Sequence, residues 1–293
     1  PPRSTLDRSS AASDVYKRQG IASPVQAKRG SDGQLNLLYW QAPSTMNPNL
    51  SGGTKELEAS SVVLEPLGRY DENGNLLPWL AVEIPTVENG GVAKDLTSIT
   101  WKIKKGIKWS DGSALTADDA VFTYEYCTNP DTGCTATNYY KDIQSVKALD
   151  SNTVKITFTV AKPFPYATFV GYNSPILQKA QFDGCQGAKA QECNEQNFYP
   201  IGTGPFKVVD FKPNDVIVFE ANPNYRDASK PAFGKLVFKG GGDATSAARA
   251  VLETGEMDYA WNLQVEPEIL SNCLLYTSPS PRDATLSRMP SSA

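Results

Sequence analysis

Along residues 99–122, apolar and polar positions first alternate with the period of a strand and then recur with that of a helix. Ile99, Trp101 and Ile103 share one face and Thr100, Lys102 and Lys104 the other, the pattern of a half-buried strand. Lys105-Gly106 and Asp111-Gly112 are turn signals, and between them a second short strand carries Ile107 and Trp109. Thr116 reads as an N-cap, with Asp118 and Asp119 in the positively polarised first turn of a helix. That helix sets Ala117, Ala120, Val121 and Tyr124 on one face.

The same reading extends along the chain. Leu35, Leu37 and Tyr39 alternate as a strand, and residues 56–64 carry an apolar stripe suited to a short helix. Residues 67–76 predict a hairpin turning at Asn73-Gly74. Val154, Ile156 and Phe158 predict a strand ended by Lys162-Pro163-Phe164-Pro165. Residues 175–199 have no clear period. Gly202-Thr203-Gly204-Pro205 introduces a strand at 206–211, which pairs with 216–219 across Pro213-Asn214-Asp215. Leu236, Val237 and Phe238 form another strand, 244–254 a helix closed by Gly255, and 257–261 a last strand. Strands mixed irregularly with a few helices give an α/β class with mixed sheets.

The ends break the pattern. Residues 1–19 and 273–293 follow neither period, and the runs 10–19 and 273–283 resemble translated sequencing-adaptor read-through. Both ends are read as non-native tails, which removes Cys273 from the chemistry. Residues 20–34 read as a linker.

Composition narrows the function. A length of 293 residues suits about two domains. With 28 basic against 32 acidic residues, no electrostatic grip on nucleic acid is expected. No apolar run approaches the ~20 residues of a membrane span. Histidine is absent, which removes the commonest general base and the commonest metal ligand. The pairs Cys127/Cys134 and Cys185/Cys193 each close a short loop, and two local disulfides in an exported protein are the simplest reading. A four-thiolate zinc site is the rival, although its ligand pairs usually stand about two to four residues apart.

Three features invite chemistry. Asp118 and Asp119 are adjacent carboxylates, but neighbouring helical residues diverge by ~100° and first-turn acids are expected on dipole grounds alone. Gly240-Gly241-Gly242 lies between a strand and a helix, yet lacks the Lys-Ser/Thr of a phosphate loop. Tyr39, Trp40, Trp79, Tyr139, Tyr140, Tyr172 and Trp261 suit a concave binding site better than a catalytic one.

The run Trp101-Lys-Ile-Lys-Lys-Gly-Ile-Lys-Trp109-Ser-Asp-Gly-Ser-Ala-Leu-Thr116-Ala-Asp-Asp-Ala-Val-Phe122 resembles the signature of the extracellular solute-binding proteins of peptide and nickel ABC transporters, family 5. Pro200-Ile-Gly-Thr-Gly-Pro-Phe-Lys-Val, Phe219-Glu-Ala-Asn-Pro-Asn-Tyr225 and Arg249-Ala-Val-Leu-Glu-Thr-Gly-Glu-Met-Asp258 resemble further blocks of that family in order and spacing. Arg226 departs from it, since an aromatic is usual there. The resemblance implies a type II periplasmic-binding-protein-like fold without its second lobe. Residues 35–54 and 200–270 would form a discontinuous lobe I, and residues 55–199 a smaller inserted domain. The missing lobe would supply the acid for a peptide N-terminus. It further implies a monomeric, periplasmic or cell-surface receptor that passes a peptide to an ABC permease, with no cofactor, no metal and no catalytic step. Mapped by motif, Ser51, Gly52, Gly53, Thr54, Tyr139, Tyr140, Trp261 and Asn262 would contact ligand. Other solutes (an oligosaccharide, an opine or a nickel complex) and a secreted hydrolase are the alternatives.

Overall fold

The computed structural model describes residues 28–261 and Pro267. β1 (Gln34–Leu38) leads through a long loop to α1 (Thr54–Ser60). This helix ends earlier than residues 56–64 predict. Ser60 and Ser61 turn their hydroxyls back onto the Leu57 and Glu58 carbonyls, and the Val62 and Val63 carbonyls accept instead from Phe206 and Gly204. β2 (Gly68–Tyr70) and β3 (Leu76–Pro78) make the expected hairpin. In its turn the Asp71 carboxylate accepts from the Asn73 and Asn75 amides, and Gly74 supplies a φ of 79°.

β4 (Ser98–Lys102) buries Ile99 and Trp101 completely. The strand expected at Ile107–Trp109 is instead a tight loop, closed by Trp109 N–H to the Ser113 carbonyl at 2.9 Å and Leu115 N–H to the Ile107 carbonyl at 3.0 Å. α2 (Ala117–Thr128) starts as predicted, with the Thr116 amide donating to the Asp119 carboxylate at 2.9 Å. Its buried stripe is broader than predicted, taking in Phe122, Thr123, Tyr126 and Cys127, while Val121 and Tyr124 are only half-buried.

β5 (Ile143–Asp150) and β6 (Thr153–Phe158) form a second hairpin. β6 alternates as predicted, whereas β5 buries only Val146 and has no apolar period to find. The patternless 175–199 segment holds only short turns with α3 (Lys179–Phe182) and α4 (Asn194–Phe198). Disulfides Cys127–Cys134 and Cys185–Cys193 span Cα–Cα distances of 5.1 and 5.9 Å, so the cysteines are paired covalently, not as a zinc site. β7 (Phe206–Lys212), β8 (Val216–Ala221), β9 (Lys235–Lys239), α5 (Ala244–Leu252) and β10 (Tyr259–Ala260) follow. α5 stops short of residue 254, and Gly255 lies beyond it at φ 65°.

Among the described residues the strands form three sheets, and mixed pairing is confined to the largest. Its order is β10-β1-β9-β8-β7, with β1 parallel to β9 and β10 and the remaining pairs antiparallel. β4-β6-β5 is an antiparallel sheet, and β2-β3 is a two-stranded hairpin tied at Gly68 to the 169–171 segment by a single parallel bridge with Val170. One apolar core runs through both larger sheets, from Trp101, Trp109 and Phe122 to Phe219 and Phe238. Gly202 and Gly204, just before β7, do not have a positive φ. Their requirement is space: a Cβ would lie 1.9 Å from the Val63 carbonyl oxygen at Gly202 and 2.5 Å from that of Val62 at Gly204. Arg29, in the stretch expected as a linker, donates to the carbonyls of Asn222, Pro223, Tyr225, Asp227 and Lys230. That fastens the entering chain to the loop between β8 and β9.

Candidate ligand-binding site

Parallel strands converge their carboxyl ends on one rim, where open α/β sheets present ligand sites. β1 runs out into Tyr39 and Trp40, and β10 into Trp261. Ring centroids of Trp40 and Trp261 lie 4.3 Å apart, and those of Tyr39 and Phe238 lie 4.0 Å apart. The Tyr39 hydroxyl donates to the Glu58 carboxylate on α1 at 2.5 Å. Burial, reinforced by Glu58, pushes the Tyr39 phenol well above its ordinary range, so it stays a donor at any physiological pH.

Glu58 opens into a cavity of about 380 Å³, within the range of small-molecule sites. Ser61, Arg69, Tyr70, Trp79, Tyr139, Tyr166, Tyr172 and Asn173 also line it. Trp79 is fixed from behind: its indole N–H donates to Glu65 at 2.7 Å, and the other Glu65 oxygen accepts from Thr203 at 2.8 Å and Arg226 at 2.6 Å. The Arg69 and Arg226 guanidinium carbons lie 4.3 and 5.0 Å from the Trp79 ring centroid, within cation–π range. Lys104 donates to the Trp79 carbonyl at 2.8 Å; burial, with Arg226 nearby, holds its pKa below the ordinary lysine value. The Tyr166 hydroxyl donates to the Pro85 carbonyl at 2.7 Å, which stands that ring upright in the wall.

The expected contact residues divide. Tyr139 lines the cavity, but Tyr140 does not: it is buried in the core, its hydroxyl beside Ser174 at 3.3 Å and its phenol pushed up to about 12 by burial. Consecutive residues in the 3₁₀ turn Thr137–Tyr140 cannot face the same way, so one tyrosine serves the wall and the other the core. Ser51, Gly52, Gly53 and Thr54 sit at the entry to α1, outside the cavity lining, where the Ser51 hydroxyl accepts from the Gly53 amide at 3.3 Å. Trp261 connects to the cavity through Tyr39 and Glu58, its ring 6.4 Å from that of Tyr39. Asn262 lies outside the described residues. Among the wall residues, Glu58, Arg69 and Tyr166 carry no motif that marks them. The nearest signal is the hairpin prediction, which places Arg69 and Tyr70 on a strand one turn of chain from Trp79.

The other candidates are structural. Asp119 accepts from the Thr116 and Lys179 amides, both at 2.9 Å, and burial raises its pKa; it is a cap. Gly240 and Gly242 admit close packing onto the exit of β1, since a Cβ would lie 1.9 Å from the Ala42 nitrogen and 2.8 Å from Leu38 Cδ2 respectively. Among the described residues, no group of His, Cys, Asp and Glu is placed to hold a metal ion. No helix among them is long and apolar enough to cross a membrane.

Residues 75–272 match the model of the bacterial extracellular solute-binding proteins, family 5, middle region. The chain is 30% identical over 255 residues to the oligopeptide-binding protein AppA of Bacillus subtilis, covering 85% of this chain and 44% of AppA. It is 29% identical over 246 residues to the glutathione-binding protein GsiB of Pectobacterium atrosepticum, covering 84% of this chain and 44% of GsiB. The structure of AppA in complex with a nonapeptide superimposes with a TM-score of 0.68 at 28% identity, over 79% of this chain and 44% of AppA. NikZ of Campylobacter jejuni in complex with Ni(L-His) gives a TM-score of 0.68 at 28% identity, over 85% of this chain and 46% of NikZ. The chain thus spans a little under half the length of the relatives it matches, and its fold is that of type II periplasmic binding proteins. With the matched region covering more than half of its residues, the chain belongs to family 5 of the bacterial extracellular solute-binding proteins.

Proposed function

We propose that this chain is part of the solute receptor of an ABC importer and that its solute is a peptide. The observation that carries this reading is the cavity itself: aromatic walls, one carboxylate and one guanidinium, with rings held in place by hydrogen bonds from behind. Such walls take side chains of varied shape, while backbone-like hydrogen bonding holds an extended ligand. Relatives named for binding oligopeptides and glutathione support a peptide over a sugar.

In this reading residues 35–54 and 200–270 are one lobe and 55–199 a smaller domain beside it. A further lobe closes over the ligand by a hinge motion, and the closed receptor docks on a membrane permease. The protein works outside the cytoplasm as a monomer and performs no catalytic step. Calorimetry with a tripeptide, followed by mass spectrometry of the recovered ligand, tests this. A receptor carrying both lobes should bind at micromolar concentration or tighter, the 293-residue chain more weakly, and the peptide should return intact. Hydrolysis of the peptide would overturn the receptor reading, and micromolar binding by the chain alone would overturn the need for a second lobe.

A further inference from the structure

An arginine side chain has five N–H donors, and the 222–230 segment between β8 and β9 meets all five of those on Arg29 with backbone carbonyls. Nε donates to Lys230 at 2.7 Å, Nη1 to Asn222 at 2.9 Å and Pro223 at 2.5 Å, and Nη2 to Tyr225 at 2.7 Å and Asp227 at 2.8 Å. Five acceptors turned on one planar cation select by shape. An ammonium offers three donors and no fork, and would leave carbonyls unpaired. The Asp227 carboxylate is engaged within the loop, accepting from the Ser229 amide at 2.9 Å and hydroxyl at 2.6 Å.

The ends of this cage are anchored without the Arg29 side chain. Buried Asn222 donates its backbone amide to the Pro205 carbonyl and its side-chain amide to the Gly204 carbonyl, both at 2.8 Å. Asn224 donates to the Ser110 carbonyl at 3.1 Å, and the Gly30 and Asp32 amides hold the Pro231 and Ala232 carbonyls at 2.9 and 3.1 Å. Truncating Arg29 would therefore leave the carbonyls converging on one point, and partly buried acceptors without a donor cost free energy. The effect reaches further. The two carbonyls on Nη2 belong to Tyr225 and Asp227, the neighbours of Arg226 on either side. Arg226 reaches Glu65 at 2.6 Å, and Glu65 accepts the Trp79 indole N–H at 2.7 Å.

We infer that residues 222–230 form a guanidinium-binding cage, occupied by Arg29, whose filling sets Arg226 on Glu65 and so positions Trp79. The free guanidinium ion, which carries an N–H where Arg29 carries its stem, should enter the cage once Arg29 is truncated. Neither the cage nor its link to Trp79 depends on which solute the protein takes.

The test is thermal unfolding of Arg29→Ala, with the Trp79 indole N–H followed in nitrogen–proton spectra, in guanidinium chloride up to about 50 mM, where denaturation is slight. Methylammonium chloride and sodium chloride at equal concentration are the controls. The truncation should lower the melting temperature by about 10 °C, the scale of a few charge-assisted hydrogen bonds in a chain of this size, and displace the Trp79 resonance. Guanidinium should recover about half of that loss and return the resonance toward its wild-type position, and the controls should do neither. If circular dichroism shows Arg29→Ala unfolded, Arg29→Lys takes its place in the same titration, since it keeps the charge but brings three donors to five acceptors. An unchanged melting temperature, equal recovery by methylammonium, or no recovery by guanidinium in a folded variant would each overturn the cage. Recovery of the melting temperature with the Trp79 resonance still displaced would overturn its link to the cavity wall.

Discussion

Arg226 reaches the buried carboxylate of Glu65 at 2.6 Å, although an aromatic residue is the expected occupant of position 226. The guanidinium keeps part of the aromatic's role, since it stacks on Tyr225 at 4.7 Å and on Trp79 at 5.0 Å. It also brings a positive charge to a glutamate whose side chain is 2% exposed. Glu65 thus joins three parts of the fold: the exit of α1, Trp79 after β3, and the Thr203 and Arg226 loops on either side of the β7–β8 hairpin.

Removing the carboxylate should therefore damage both stability and binding. Glu65→Ala leaves Arg226 without its counter-ion and Trp79 without its acceptor, and should cost about 3–5 kcal/mol. Arg226→Ala leaves Glu65 two remaining donors and should cost about 1–3 kcal/mol. Urea denaturation of the three proteins measures both figures, and the order of the two variants is the sharper expectation.

The adjacent tyrosines should separate by function. Tyr140→Phe removes one hydroxyl contact to Ser174 and should cost about 1 kcal/mol of stability without changing peptide affinity. Tyr139→Ala, at the cavity wall, should lower peptide affinity while leaving the unfolding midpoint nearly unchanged. Paired titrations and melts of the two variants read both quantities.

Each disulfide closes a short loop, with sequence separations of 7 and 8 residues. Chain-entropy arguments give about 2–3 kcal/mol for each loop of this size. Reduction should lower the melting temperature in two steps of similar size, assigned by Cys127→Ser/Cys134→Ser and Cys185→Ser/Cys193→Ser double variants.

Glu56 sets an acid limit on stability. Burial alone would raise its pKa, but Lys55 and the Ser44 amide and hydroxyl outweigh it and hold the carboxyl below the ordinary glutamate value of 4.5. Its folded-state pKa is depressed, so the stabilisation is complete above about 4.5 and is lost as pH falls through the folded value. Glu56→Gln should flatten the fall in stability below that pH, as followed by denaturant midpoints across an acid series.

Much of the fold is legible in the sequence wherever one face of an element is wet. β4 and β6 alternate because Ile99, Trp101, Val154, Ile156 and Phe158 point inward and their neighbours outward. The cap at Thr116 is legible because it is local chemistry. β5 is not, because its partners are supplied by β6 and it buries only Val146, with its other side chains half-buried or exposed. The cavity is harder still. Its aromatic content is visible, but Glu58 and Arg69 gain meaning only when α1 and the β2–β3 hairpin are brought to one wall by long-range packing. The resemblance by motif takes Tyr139 and Tyr140 together, since a motif has no way to mark which of two adjacent rings lines a cavity and which packs into the core.

If the cavity beside Trp79 receives the solute, a bound peptide must perturb that indole. The chain has five tryptophans, and nitrogen–proton spectra resolve indole N–H groups one by one, with assignment by single Trp→Phe variants. Adding Ala-Phe-Ala should shift the Trp79 indole resonance progressively and leave those of the buried Trp101 and Trp109 in place. A titration in which the peptide binds but the Trp79 resonance stays fixed would contradict the claim.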